Sequence, residues 1–323
     1  SLDTLASVEG NPELTITNLE LEGLSKKAIS LQNAISITIS NLQSNLREEV
    51  SLISLEGSET EVTLGFQITN SNSAMKILEL EKFISVSFTE FEIKSSTLGN
   101  IMEIDKVTFF SVSNLVVESS QIGKFISYKD TSTIDITTAT FASATFNGVI
   151  MEGSSGTKIT LRNFQYEQST IQKELAKFSE LKSFTMENFQ FKELTVNEAA
   201  KRFLELDKVD SVKLKNIQAT FSGECNLQKF ISMKDSSAEV DSLSFSNCGS
   251  SENHIVDLSI LSIEKNSALS VRNLAVSNVY GSSYPATVID FKGFSPLNEE
   301  TTIELNDVTI ENVENKGDEV FSL

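Results

Sequence analysis

The sequence predicts an all-β fold, a right-handed parallel β-helix (solenoid) of about twelve coils of 23–34 residues. Three observations predict it. A short pattern, apolar-x-apolar-x-(often Asn)-apolar, recurs twelve times along the 323 residues. A second apolar stretch precedes most copies, typically by eight residues. Within both stretches the apolar residues alternate with polar ones, so each is a strand with one buried face.

In order, the recurring strand reads LTITNL at 14–19, ITISNL at 37–42, VTLGF at 62–66 and VSFTEF at 86–91. FSVSNL at 110–115, IDITTA at 134–139, ITLRNF at 159–164 and FTMENF at 184–189 follow. The last four are VKLKNI at 212–217, AEVDSL at 238–243, LSVRNL at 269–274 and IELNDV at 303–308. The preceding strand is ISL at 29–31 and 53–55, LEL at 78–80, MEI at 102–104 and ISY at 126–128. It returns as LEL at 204–206, ISM at 231–233, LSI at 261–263 and IDF at 289–291. A lone apolar residue upstream, such as Leu98, Ile122 or Ile171, marks a third, shorter side.

Two or three strands per coil, stacked coil on coil, bury their apolar faces in one continuous core. Parallel crossovers are overwhelmingly right-handed, which sets the expected hand. The shared slot predicts an inward column of Ile39, Leu64, Phe88, Val112, Ile136 and Leu161. Asn18, Asn41, Asn114, Asn163, Asn188, Asn216 and Asn273 share another slot. An inward Asn at a bend tolerates the left-handed region and can bond the next coil. A leucine-rich repeat has a similar period, but it spaces its Asn differently and carries one strand per unit.

The frame weakens between Glu167 and Asp207, where IQKELAKFSELK and NEAAKRFLEL have helix-forming composition. A short helix in a loop is expected there, around 193–202, within a continuing β-helix. The whole of 1–323 reads as one β-helix segment, with regular coils at 1–166 and longer-looped coils at 167–323. LASVEG at 5–10 and VFSL at 320–323 read as first strands without the polar cap that stops a solenoid. A longer solenoid is therefore expected.

On these repeats the chain resembles the pectin-lyase-like superfamily of right-handed parallel β-helices. Its Phe-, Ser- and Glu-rich, Gly-poor coils are similar to large repetitive surface proteins of protists. The second resemblance implies a structural role in an extracellular or cell-surface protein of the secreted pathway.

Composition limits the partners. With 26 basic and 45 acidic residues the net charge is −19, which opposes binding to nucleic acid, whose phosphates need a basic footprint. No apolar run reaches the ~18 residues of a bilayer span. Hydrolases resembling this fold carry paired Asp residues and a Gly-His-Gly element, and this chain has neither. Its single His, His254, has no nucleophile beside it in the sequence. The acids Glu79, Glu81, Glu103, Asp105, Glu205 and Asp207 line the first strand, but Lys82, Lys106 and Lys208 follow directly. That reads as a mixed-charge solvated face rather than converging Ca²⁺ ligands. No phosphate loop, zinc spacing or nucleotide fingerprint is present. The expectation is no catalysis, no metal and no cofactor.

Three surfaces remain. The outward slots of the early coils hold Thr15, Thr17, Thr38, Ser40, Thr63, Ser87, Thr89, Ser111, Ser113 and Thr137, with Gly65 and Asp135 in the same two columns. This near-neutral strip is the candidate contact face for neighbouring solenoid segments or other chains. From Arg162 onward the columns turn charged, through Glu187, Lys213, Lys215, Glu239, Asp241 and Arg272. Cys225 and Cys248 lie close to one period apart and are either a disulfide between adjacent coils or two buried thiols. The long late excursions, with Tyr280, Tyr284 and Pro285, are a candidate loop edge, and carbohydrate is a further candidate partner. No Asn-x-Ser/Thr glycan acceptor occurs. The function expected is a structural or adhesive segment that assembles laterally; the alternative is a carbohydrate-active or carbohydrate-binding β-helix.

Overall fold

The computed structural model describes residues 6–8, 13–17, 20–21, 27–31, 36–40, 42–44, 50–57, 61–196, 202–225, 227–249, 258–264, 268–280, 287–292, 303–314 and 321–322. Every element among them is β-strand and every pairing given is parallel. The chain forms two compact units, residues 1–158 and 159–323. The strands stack as a parallel β-solenoid of about nine turns, against twelve copies in the sequence. Residues 18, 19 and 41, within the copies at 14–19 and 37–42, and residues 301–302, just before the copy at 303–308, lie outside the described set.

In the first unit, Ser85–Lys94 is the central strand of the repeat. Its Phe88 faces Leu64 on one side and Val112 on the other, and Val112 faces Ile136. All four are buried to 1% exposure or less, so this stretch of the predicted column forms. Ile39 departs from it. It pairs with Ile68, four residues beyond Leu64. The strand Glu61–Thr69 alternates apolar residues without a break through Val62, Leu64, Phe66 and Ile68. A slip of four keeps every side chain on its own face, so either register buries apolar on apolar. The preceding strands show no such slip: Ile29 meets Ile53, and Ile53 meets Leu78. The third side is also present, with Leu98 against Ile122 and Ile122 against Phe146.

Corners are made by residues in the left-handed region. One set in the first unit is Lys82, Lys106, Asp130 and Ser155; another is Asn70, Ser95, Ser119 and Ser143. Such a conformation costs a non-glycine residue ~1 kcal/mol or more. Backbone bonds across coils offset the cost: Lys82 N–H donates to Asp105 O at 3.1 Å, and Ser95 N–H donates to Glu118 O at 3.1 Å. A buried serine follows the second set. Ser71, Ser96 and Ser120 each donate a hydroxyl to the carbonyl two residues back, at 2.9, 2.8 and 2.8 Å. Each also accepts a backbone N–H from the coil before, from Leu42, Ser71 and Ser96 respectively.

Glycine serves close approach. A Cβ on Gly123 would lie 2.5 Å from the carbonyl oxygen of Gly99, and one on Gly148 would lie 2.3 Å from that of Gly123. Gly153 faces Tyr128 in register, and its missing side chain leaves room for the tyrosine ring.

In the second unit, the strand Ala176–Val196 pairs with Arg202–Cys225, which pairs with Ser237–Cys248. The helix expected around 193–202 is not formed over residues 193–196 or 202, which are strand; 197–201 lie outside the described residues. Helix propensity is a weak preference, and in Ala176–Val196 alternate burial of Phe178, Phe184, Phe189 and Phe191 outweighs it. Aromatic rings stack between coils, Phe164 on Phe189 at 4.5 Å and Tyr166 on Phe191 at 4.9 Å.

Candidate contact face

The hydroxyl residues of the first unit point outward, as their alternation requires. Thr15, Thr17, Thr63, Thr89 and Ser113 are exposed, while Thr38, Ser87, Ser111 and Thr137 are half-buried. The Ser40 side chain falls outside the described residues. The structure brings Thr63, Ser87, Ser111 and Asp135 into one column through successive pairings. Ser111 Oγ donates to Ser87 Oγ at 2.9 Å. Ser113 N–H donates to Phe88 O at 2.9 Å and Thr137 N–H to Val112 O at 3.0 Å. Thr89 occupies a bulge between Phe88 and Glu90.

Thr15 and Thr38 pair with each other, but Thr38 faces Gln67 rather than Thr63. Thr17 and Ser40 lead to Thr69. The slip at Ile68 therefore breaks the expected strip into two patches. The earlier holds Thr15, Thr17 and Thr38. The later runs from Thr63 to Thr137, and beside it stand the exposed large apolar groups found among the described residues of the first unit. Ile84 is 44% exposed and Phe109 38%. Phe109 stands between Ser85 and Thr133 in register and shares the outward parity of Ser111. Its N–H donates to Ile84 O at 2.9 Å. Phe109 is hidden in the sequence because FF at 109–110 looks like core; only the register shows which of the two faces out.

In the second unit the same outward slots are charged and ordered. Glu187, Lys215, Asp241 and Arg272 follow one another in register, signs alternating. Arg162 meets Glu187 at 3.7 Å and Lys215 meets it at 3.8 Å. The neighbouring column runs Thr185, Lys213, Glu239, Ser270 and Glu304, and Arg272 reaches Glu239 at 2.7 Å. The Asn273 amide and the Ser242 hydroxyl donate to Asp241 and hold its carboxyl below the usual range.

The Asn slot is corrected in direction. Asn163, Asn188, Asn216 and Asn273 adopt the left-handed conformation but are exposed, not inward. Asn188 donates to Asn163 and Asn216 to Asn188, both at 2.9 Å, as an outer ladder. A second ladder, unseen in the sequence pattern, links Asn247, Asn278 and Asn312 at 3.1 and 3.2 Å. In the first unit Asn114 is exposed without a left-handed backbone.

The acidic first-strand residues are paired as a mixed-charge face. Lys76 bridges Glu79 and Glu103, Lys82 bridges Glu56 and Glu81, and Lys177 meets Glu205 at 3.4 Å. Among the described residues no group of three or more His, Cys, Asp or Glu could hold a metal ion. Cys225 and Cys248 form a disulfide, with Cα atoms 5.1 Å apart and both residues buried. Tyr284, Pro285 and His254 lie outside the described residues; Tyr280 ends the strand Ala268–Tyr280, its side chain outside them too. Comparison with known protein families, characterised proteins and solved structures gives no match to this chain.

Proposed function

We propose that this chain is a structural or adhesive segment of a large extracellular or cell-surface protein, and that it assembles by lateral contact rather than by catalysis. The observation that carries the reading is the outward face of Thr63, Ser87, Ser111 and Thr137. Small hydroxyls on paired strands present a surface that another solenoid segment or chain can approach with little charge to desolvate. Asp135 is the one charge in that column. The Cys225–Cys248 disulfide supports a secreted location, because such bonds persist in oxidising compartments. The likeness to pectin-lyase-like right-handed β-helices, and to repetitive protist surface proteins, belongs to this same reading. The partners it implies are other protein chains or neighbouring segments, with no nucleic acid, no membrane insertion by this segment and no cofactor.

Two measurements test it. The purified chain is incubated with polyuronates and neutral glycans, with and without Ca²⁺; no product above the blank is expected. Turnover would replace the reading with a carbohydrate-active β-helix. Imaging of the native assembly should find the face from Thr63 to Thr137 against another surface, and a face open to solvent there would overturn lateral contact.

A further inference from the structure

Asn147–Gly148 is the one Asn-Gly pair in the chain. It lies just beyond the strand Thr145–Phe146, in a segment that is neither strand nor helix, and Asn147 is exposed. The backbone around the pair is anchored. Asn147 N–H donates to Ile122 O at 2.8 Å, and Ile150 O accepts Phe125 N–H at 3.0 Å and Ile126 N–H at 2.9 Å. Packing requires glycine at 148, since a Cβ there would lie 2.3 Å from Gly123 O. Between the anchors two groups are uncommitted. Among the described residues, neither the Asn147 side-chain amide nor the Gly148 N–H has a hydrogen-bond partner.

We propose that Asn147–Gly148 is a self-modification site, where the asparagine converts to isoaspartate and aspartate without an enzyme. The Gly148 nitrogen gives up its proton and attacks Asn147 Cγ. A C–N bond forms, the bond from Cγ to the amide nitrogen breaks, and that nitrogen leaves as ammonia, taking up the proton. Water then splits one of the two C–N bonds of the five-membered imide ring. Breaking the bond to Cγ gives aspartate. Breaking the bond to the backbone carbonyl carbon gives isoaspartate, whose chain runs through Cβ and Cγ. A side chain on the following residue hinders the attack, and glycine has none. Other asparagines lack this combination. Asn188, Asn216 and Asn273 commit their amides to Asn163, Asn188 and Asp241, and bulky Phe189, Ile217 and Leu274 follow them. Asn70 precedes the small Ser71, but Ser71 N–H donates to Ser96 Oγ at 3.2 Å. The stacking that demands glycine at 148 thus builds a labile bond into this coil. Isoaspartate adds one atom to the backbone between Asn147 and Ile150, which loosens the hold of Ile150 O on the Phe125 and Ile126 amides. The inference is independent of the lateral-contact reading.

The purified chain is held at mildly alkaline and at mildly acidic pH, and its peptides are mapped by mass spectrometry. In the alkaline arm the peptide holding Asn147 should gain one mass unit about tenfold faster than those holding Asn70, Asn114 or Asn188, a ratio worth ~1.4 kcal/mol of barrier. The acidic arm should lag, because the attacking nitrogen must lose its proton. Asn147→Gln keeps the amide but must close a six-membered ring, and should suppress the gain. A free peptide of residues 142–152 sets the unconstrained rate. If it converts while the folded chain leaves Asn147 intact, the fold holds the amide away from Gly148 and the inference fails. Conversion of Asn70 or Asn188 as fast as Asn147 overturns it too. In the converted chain, hydrogen exchange at the Phe125 and Ile126 amides should be faster than in Asn147→Gln; equal exchange would overturn the loosening.

Discussion

At the scale of the residue, Ser96 shows how the corners hold. Its hydroxyl donates to Lys94 O at 2.8 Å and accepts Ser71 N–H at 3.2 Å, in a site 3% exposed. Replacing it with Ala leaves both a backbone carbonyl and a backbone N–H without that partner, away from water. Ser96→Ala should therefore cost ~1–3 kcal/mol, read as a lower denaturation midpoint at unchanged m-value. A loss below ~0.5 kcal/mol would mean water replaces the hydroxyl. Position 144, one coil beyond Ser120, is Ala, but the device returns at Ser169 and Ser236, whose hydroxyls donate to Glu167 O at 3.1 Å and Lys234 O at 2.9 Å. The repeat made inward positions such as Val112 legible, because alternation alone decides parity. It did not reveal the serine ladder, since Ser71, Ser96 and Ser120 are small polar residues in segments that read as loops. Nor did it give the direction of the Asn slot. An Asn in a left-handed corner can point either way, and neighbours in space, not in sequence, decide.

At the scale of the strand, register is the quantity that matters. Leu64, Phe88, Val112 and Ile136 stack as the copies predict, whereas Ile39 lands on Ile68. The sequence could not choose, because Val62, Leu64, Phe66 and Ile68 offer two apolar matches of equal parity. That one slip also divides the contact face, which is why the strip was legible as chemistry but not as a continuous surface. The charged columns of the second unit carry more register information: moving Lys215 by one coil would set it against a like charge. Where the register is settled, its cost of violation is large. Val112 is 1% exposed between Phe88 and Ile136. Val112→Asp buries a carboxylate with no cation in that column and should cost ~3–5 kcal/mol, with loss of the cooperative thermal transition or a strongly lowered one. A variant that melts like the parent would show that this column faces water.

At the scale of the molecule, coils interact with their neighbours in sequence, and stability is close to a sum over repeats and their interfaces. The Cys225–Cys248 bond adds a covalent tie between two such repeats, over a separation of 23 residues. Closing a loop of that length removes unfolded-state entropy worth about 3 kcal/mol. Its two ends belong to Arg202–Cys225 and Ser237–Cys248, strands that already pair over Val212 to Thr220, so the native state changes little when the tie is cut. Reduction under denaturing conditions, alkylation and refolding should therefore return the same parallel strands with a lower stability. Hydrogen exchange should locate the loss. Amides in Arg202–Cys225 and Ser237–Cys248 should exchange faster, because sub-global opening there no longer works against the crosslink. Amides around Phe88 and Val112, in the other unit, should keep their protection. Uniform acceleration across both units would show that the chain unfolds as one cooperative whole, and no change anywhere would show that stacking alone holds these coils.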